Sequence, residues 1–581
     1  MEMIKDSSFI YLAFLVFFGL LHFSSCDQAS KNVIVEKDVY VQGEMPVQHG
    51  MELFNMHCAS CHNFTENLIG PNLSGVTSEV DKAWLTQFIK NPVAVIESGD
   101  KRAVELFEKF KQYMPPFPTL GDEDIEDILG FIHKFSQAEK RNKSNRKGGL
   151  INPVPGKIET SPLTLVLEKQ FEVPMTSEVT PSTRINQMTK APGERLFIHD
   201  LRGQLYEIID GKQLTTFMNI RESLPNFVDN PGKASGFGSL CFHPDFQKNG
   251  LFYTTHTDKA ASAPADFALP DSIKTAVQHV LLEWKVDNPR AEVFSGTHRE
   301  LLRADMPSGA HTFQDITFNP LAKPNTKEFG LLYLGIGDGS AALRGYPFLC
   351  DNIQHIWGAV IRIDPLGNNS SNGKYGIPQD NPFVSEPNAL GEIWAHGFRN
   401  AHRITWDVTG SEKMLITNIG QHSLEEVNLG IAGRNYGWPY REGTFLFDPE
   451  ANVELVYPIE SEDDSYTDPV VQYDHDEGSA VSGGFVYAGE KIPKLKGKYV
   501  FGDMSLGTLF YTNVDELIDG QLAPLYRLQV EMNGEVSDMV SITGNNRVDL
   551  RIGEDHEGEL YLMTKEGGGV YKVIDCKEVA L

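Results

Sequence analysis

Cys58, Cys61 and His62 stand in the order Cys-x-x-Cys-His. One helical turn separates the two thiols, and an imidazole follows at once. That spacing suits covalent attachment of haem c through both vinyl groups, with His62 as the proximal iron ligand. A lone Cys-x-x-Cys also serves zinc or a redox dithiol, but no second cysteine pair follows nearby. Met114, in Tyr-Met-Pro-Pro-Phe, is the candidate sixth iron ligand, because a thioether is a common one and the prolines stiffen its loop. A core methionine is the other reading. His57 lies too close to the attachment site to reach the distal face, and His133 is a rival for the sixth position.

The elements around these residues read as helices. Met51 to Asn55 leads into the attachment site, and Lys82 to Lys90 has apolar residues at helical spacing. Asp122 can cap a helix whose Ile125, Ile128, Leu129 and Ile132 share one face. Residues 48 to 136 together resemble a single-haem class I cytochrome c, with Gly70-Pro71-Asn72-Leu73 similar to the loop that supports the axial histidine in that family. The resemblance implies a carrier of single electrons.

From about residue 160 the periodicity becomes that of strands. A unit recurs: an alternating strand, a Pro or Asp turn, then a Gly-x-aromatic strand. It starts at Arg195, Leu240, Ile316 with Gly330, Ile404 and Leu550. Repeated units of this kind predict a propeller, and roughly 70 residues per unit predict six blades. The insertion from Asp258 to Ala276 should form a loop on one face. The expected fold is thus a small all-α cytochrome c domain followed by an all-β six-bladed propeller.

Five motifs occur in order: Phe242-His-Pro-Asp-Phe, Gly335-Ile-Gly-Asp-Gly, Val360-Ile-Arg-Ile-Asp-Pro, Gly397-Phe-Arg-Asn and Asn435-Tyr-Gly-Trp-Pro. Together they resemble the glucose/sorbosone dehydrogenase family, whose soluble sugar dehydrogenases use pyrroloquinoline quinone (PQQ). The resemblance covers about residues 180 to 575. It implies His311 as the base that takes the substrate hydroxyl proton, with a buried hydrogen-bonded histidine as the alternative. A neutral imidazole suits that role. It implies Asp338 as the acid beside that base, and Arg399 with Asn400 at the quinone, where a guanidinium would stabilise developing oxyanion charge. It further implies calcium on backbone carbonyls of Gly420 and Gln421, since a hard cation takes oxygen ligands. His243 belongs to a turn motif and reads as structural.

The sequence departs from that pattern in places. Ala234 stands where the family has Glu or Gln near the substrate, and Ser505 stands where a quinone-binding lysine is expected. An arginine pair near the last blade is out of register, with Arg547 and Arg551 nearby. Gly553 to Tyr561 is more similar to the hedgehog-interacting-protein branch, which keeps the propeller without established dehydrogenase activity.

The whole chain of 581 residues carries 51 basic and 79 acidic side chains, a net charge of −28. That excludes a general nucleic-acid binder. Phe9 to Leu21 is an unbroken apolar run, too short for the roughly 20 residues of a spanning helix, and reads as the core of an export signal. Phe23-Ser-Ser-Cys26 resembles a bacterial lipobox, which implies a lipid on Cys26. An ordinary signal peptide or an uncleaved anchor are the other readings. The expected organisation is a signal at 1–25, an N-terminal linker at 26–47, the cytochrome at 48–136, a flexible basic and Gly/Pro-rich linker at 137–160, and the propeller at 161–578. Cys241, Cys350 and Cys576 remain, as a bridge plus an odd thiol or as buried free thiols. Two functions fit. One is an exported dehydrogenase, in the periplasm or on the outer surface, that passes electrons from an aldose or related alcohol through PQQ to its haem and a respiratory acceptor. The other is a redox-inactive propeller that binds carbohydrate or protein, fused to a cytochrome.

Overall fold

The computed structural model describes residues 40–579, except 42–43, 59–60, 63, 65–66, 68, 118–119, 139–145, 179, 231–234, 460–464 and 546. The apolar run, Cys26, Ala234 and the linker cations Lys140, Arg141 and Lys143 lie outside the described residues. Among the described residues no helix is long and apolar enough to cross a membrane.

The first part is helical, with its longest helices at Glu44–His57, Lys82–Lys90, Lys101–Phe110 and Asp122–Ala138. Asp81 and Asp100 cap the second and third of these by accepting backbone N–H bonds, which satisfies donors the helix cannot. Asp122 is the first residue of the last helix, and Asp124 instead turns its carboxylate back onto the Gly121 N–H at 2.8 Å. The first and last helices cross so closely at Gly50 that a Cβ there would overlap the Asp127 carbonyl. Phe54, Ile125, Ile128, Leu129, Phe131 and Ile132 are buried together at this crossing.

The second part is made of antiparallel meanders. Four are separate four-stranded sheets, beginning at Ile185, Phe237, Phe313 and Ala401. Apart from a two-stranded ribbon of Arg441–Glu442 with Phe445–Leu446, the remaining described strands form one nine-stranded sheet rather than two separate blades. Its halves are the meander from Val481–Val486 to Tyr526–Met532 and the C-terminal strands from Arg551–Glu554 to Gly569–Glu578. The strand Glu159–Glu172 joins them, pairing antiparallel with Gly569–Glu578 and parallel with Tyr526–Met532. The merger has a simple cause: one long strand offers both edges, and each takes a neighbour. It also ties the start of this domain to its end. The first strands of successive meanders pack against one another in a closed circuit, from Ile185–Ala191 round to Arg551–Glu554 and back.

Five of these first strands carry a register shift near their start, between Ile185/Gln187, Phe237/Ser239, Phe313/Ile316, Ala401/Arg403 and Val481/Gly483. Such irregularities re-aim side chains. Here they gather polar groups at the centre: Asp315 meets Ser239 at 3.0 Å, His402 meets Gln314 at 3.1 Å, and Arg403 reaches the Asn186 carbonyl at 2.7 Å.

The described part of the segment between the domains, from residue 146 onward, contacts the propeller. Leu150 bridges to Val456, Val154 N–H donates to Asp474 at 2.9 Å, and Arg146 pairs with Asp448 at 3.0 Å. The expected flexible linker is therefore fastened to the propeller from residue 146 onward. Residues 260–276 form the expected long loop between two strands.

Candidate functional site

The haem-attachment residues fold as a helical turn: Cys61 and His62 N–H both donate to the Cys58 carbonyl, at 3.0 and 2.9 Å. Burial, reinforced by Cys61, pushes the Cys58 thiol up to about 12. The two thiols one helical turn apart, with the imidazole directly after them, have the spacing that thioether attachment of haem needs. Buried His62 hydrogen-bonds through Nδ1 to the Pro71 carbonyl at 2.8 Å. That bond fixes the ring and leaves Nε2 for a metal. A Cβ on Gly70 would come within 2.9 Å of His62 Nδ1, so the Gly70-Pro71 shelf must be bare to hold the imidazole.

Cys58, Cys61, His62 and Met114 line one cavity of about 750 Å³ with Trp84, Phe88, Phe117 and Ile132. Apolar walls, two thiols and an imidazole with a free nitrogen fit haem. His133 does not line it; its ring stacks on Tyr40 at 4.7 Å and its Nδ1 lies 3.0 Å from Thr77 Oγ1. His57 packs against Phe117.

In the propeller, three loops are knitted by backbone bonds. Gly337 N–H donates to the Thr312 carbonyl, Gly339 N–H to that of His311, and Asp338 N–H to that of Arg399, at 2.8–2.9 Å. This brings His311, Asp338 and Arg399 to one place from distant parts of the chain. His311 holds a left-handed backbone, φ 49°, a conformation that costs about 1–3 kcal/mol and persists where surroundings enforce it. Its Nδ1 lies 2.9 Å from Asp338 Oδ1. Asp338 is fully buried and also accepts from Ser340 N–H at 2.7 Å and Trp438 Nε1 at 3.0 Å.

The charges follow from these contacts. Burial opposes ionisation of Asp338, but the His311 hydrogen bond and charge and the nearby Arg399 overcome it and hold the carboxyl below its usual range. Burial, then Arg399, lowers His311 despite Asp338. The arrangement is a neutral imidazole whose Nδ1–H is anchored on a carboxylate, leaving Nε2 as an acceptor. That is general-base geometry.

Arg399 stacks on Trp438, 5.8 Å from its ring, and donates through Nη1 to the Gly420 carbonyl. Its Nε, and Asn400 Oδ1, are buried with no protein partner. Buried polar atoms left without a protein partner take water or a ligand, and a guanidinium beside an amide is the chemistry a quinone edge would meet. Arg551 is buried as well, and burial with Arg403 lowers it to about 9. Ser505, by contrast, shares a 2.6 Å hydrogen bond with Ser479 and offers no charge.

The calcium expectation fares differently. Glu442 Oε1 accepts the backbone N–H groups of Gln421, His422, Ser423 and Leu424 at 2.7–3.0 Å. That nest orients the loop so that the Gly420 carbonyl faces a guanidinium. A dication on the Gly420 carbonyl would sit against Arg399, so that carbonyl is a poor calcium ligand. Among the described residues no group of three or more His, Cys, Asp or Glu is arranged to hold a metal ion.

His243 is a turn residue, its Nδ1 3.0 Å from Asp245 N and 2.8 Å from Asn249 Nδ2. Cys241, Cys350 and Cys576 are buried free thiols. The roles of Trp438 and Glu442 escaped the sequence reading. Trp438 lies in the quoted Asn435-Tyr-Gly-Trp-Pro motif, which was its signal; Glu442 had none.

Comparison with known proteins agrees with this division. The family described as cytochrome c matches residues 47–136, and that described as glucose/sorbosone dehydrogenase matches residues 183–572. The HIPL1 protein of Arabidopsis thaliana is 27% identical over 58% of this chain and 53% of its own length. The hedgehog-interacting protein of Mus musculus is 25% identical over 66% and 49%. An aldose sugar dehydrogenase of Escherichia coli is 25% identical over 41% and 55%. The chain spans about half the length of the curated relatives it matches. The apo crystal structure of the soluble aldose sugar dehydrogenase from Escherichia coli superposes with a TM-score of 0.51 at 17% identity, over 71% of this chain and all of that one, which shows a shared fold. With its second family matched over most of the length, the chain belongs to the glucose/sorbosone dehydrogenase family and carries a cytochrome c domain ahead of that region.

Proposed function

We propose that this protein is a haem c-containing quinoprotein that oxidises an aldose or related alcohol and passes the electrons to its own haem. The observation that carries this reading is the His311–Asp338 pair beside the unpartnered Arg399 Nε and Asn400 Oδ1. A bound PQQ would supply the hydride acceptor. His311 Nε2 takes the hydroxyl proton. Asp338 holds the imidazole in the required tautomer and steadies its positive charge. Arg399 and Asn400 would hold the acceptor, and the guanidinium would stabilise negative charge developing on it. Calcium enters no step, because Arg399 occupies the Gly420 carbonyl.

A connected path supports the intramolecular transfer. Arg184, on the wall of the haem cavity, donates to the Ser235 carbonyl at 3.2 Å, and Ser235 Oγ donates to the Gly309 carbonyl at 3.4 Å, two residues before His311. We further propose a six-bladed count, reading the nine-stranded sheet as two blades joined through Glu159–Glu172. Export, a lipid on Cys26 that holds the protein at a membrane, and a respiratory acceptor belong to the same proposal. They give the haem electrons an exit. The binding-module alternative rests on Ser505 and on the resemblance to hedgehog-interacting proteins.

The test uses the full chain matured with haem and oxidised. PQQ and a panel of aldoses are added, with and without calcium, and the reduced haem α-band is followed. Reduction only with quinone and sugar together supports the enzyme, and His311→Ala should slow it by roughly 10²–10⁴-fold. A haem that dithionite reduces but sugar does not, together with no PQQ binding by titration, moves the assignment to the binding module.

A further inference from the structure

The haem cavity has walls from both domains. The cytochrome supplies Cys58, Cys61, His62 and Met114, and the propeller supplies Arg184, Arg202, Arg547 and Lys565. The lining carries six basic side chains, these four with Arg102 and Lys111, against Asp229, Asp549 and Glu566. That is a positive wall in a chain of net charge −28. Arg102 and Lys111 are exposed and keep their hydration. Arg184 and Lys565 are only 9% and 4% exposed.

The lining thus holds six basic side chains and three acids, one of which pairs with a wall cation. Asp549 is engaged by Arg547 at 2.8 Å, Asp229 by Arg221 at 2.7 Å, and Glu566 by Ser182 N–H at 3.2 Å. Arg184 directs donors at the neutral carbonyls of Asp229 and Ser235, and Arg202 at Thr176 Oγ1 and the Pro181 carbonyl. Burial and neighbouring Arg202 lower Arg184 to about 10. Cations gathered out of water disfavour one another and favour an anion.

Haem is an apolar disc with two carboxylates on its rim. We propose that those propionates are received by the propeller wall of Arg184, Arg202, Arg547 and Lys565, so that both domains bind one haem. Arginine and lysine pair strongly with carboxylates in such partly dry sites. The haem then fastens the cytochrome against the propeller, and the propeller helps to set the haem potential. The inference rests on haem in the cytochrome domain and is independent of sugar oxidation.

The experiment is a spectroelectrochemical titration of the full holoprotein, without quinone or sugar. Removing a cation beside a propionate favours ferric haem, so Arg547→Gln and Lys565→Gln should each move the midpoint negative. At a fixed applied potential the ferrous-to-ferric ratio should fall by roughly three- to tenfold. Arg102→Gln should change it by less than about twofold, and Arg547→Lys should restore most of the loss. If Lys565→Gln does not fold, half-buried Arg547 still decides the matter. The proposal is overturned if Arg547→Gln leaves the midpoint unmoved while Arg102→Gln shifts it. It is equally overturned if neither Arg547→Gln nor Lys565→Gln moves the midpoint.

Discussion

The haem-attachment site and the candidate site of the propeller are built in opposite ways. The haem site is nearly local: its thiols and proximal imidazole lie within five consecutive residues, and the shelf for that imidazole is Gly70-Pro71. The propeller site is assembled from His311, Asp338, Arg399 and Trp438, each on a different connection between strands, and held by backbone bonds from loop to loop. A local site depends on a few covalent partners and fails all at once when one is lost. A distributed site depends on mutual support and should lose function by degrees.

The largest effect that tests this contrast is removal of both thiols. Cys58→Ala with Cys61→Ala should abolish covalent haem, read as loss of haem staining on a denaturing gel and of the α-band. The propeller should keep its β-sheet circular dichroism, since none of its strands draws on those residues. Collapse of both domains would break the contrast.

Next in size is Asp338→Asn. The carboxylate touches His311, Ser340 and Trp438, and loss of a base-orienting carboxylate costs roughly 10²–10⁴-fold in turnover. The pH profile sharpens the assignment. His311 acts when neutral, and burial with Arg399 places its pKa below 6.5. Sugar-driven haem reduction should therefore hold a plateau above that pH and fall only in more acid solution. Asp338 raises the His311 pKa, so Asp338→Asn should move the acid limb to lower pH while lowering the plateau. A limb that moves upward would rule out His311 as the titrating base.

The same contrast explains what could be read from the sequence. Cys-x-x-Cys-His names its cofactor because the spacing itself is the geometry. The units starting at Arg195, Leu240, Ile316, Ile404 and Leu550 were legible because each alternates and carries its own turn residues. Val481–Val486 was missed because Gly483-Gly484 interrupts its apolar alternation. The pairing of Glu159–Glu172 with Gly569–Glu578 joins the two ends of the domain, and no local pattern announces it. His311, Asp338 and Arg399 were named only through family resemblance. The contact that redirects Gly420 toward Arg399 depends on Glu442 and its four N–H partners, a tertiary accident that no spacing rule contains.

A smaller effect tests the packing on which the haem site stands. Gly50→Ala places a methyl group against the Asp127 carbonyl at the crossing of the first and last helices. Overpacking of this kind costs about 1–3 kcal/mol. The haem-band melting transition should fall while the propeller transition stays in place. A common shift of both would mean that the domains unfold as one unit.

The smallest expected effect addresses the contact between the two regions. Asn67 Nδ2 donates to Glu454 Oε1 at 3.0 Å, a hydrogen bond from cytochrome to propeller. Its acceptor is a carboxylate, which strengthens it, but the site is only part-buried and water competes. Asn67→Ala should therefore cost no more than about 1 kcal/mol, and the haem-band melting point should fall by only a few degrees in holoprotein. Binding of the haem rim by the propeller wall would make the loss smaller still, because the cofactor would hold the two domains together without this bond. A drop as large as that of Gly50→Ala would show instead that the domains rely on direct contact, and would place the weight of the interface on side chains such as Asn67 rather than on the haem.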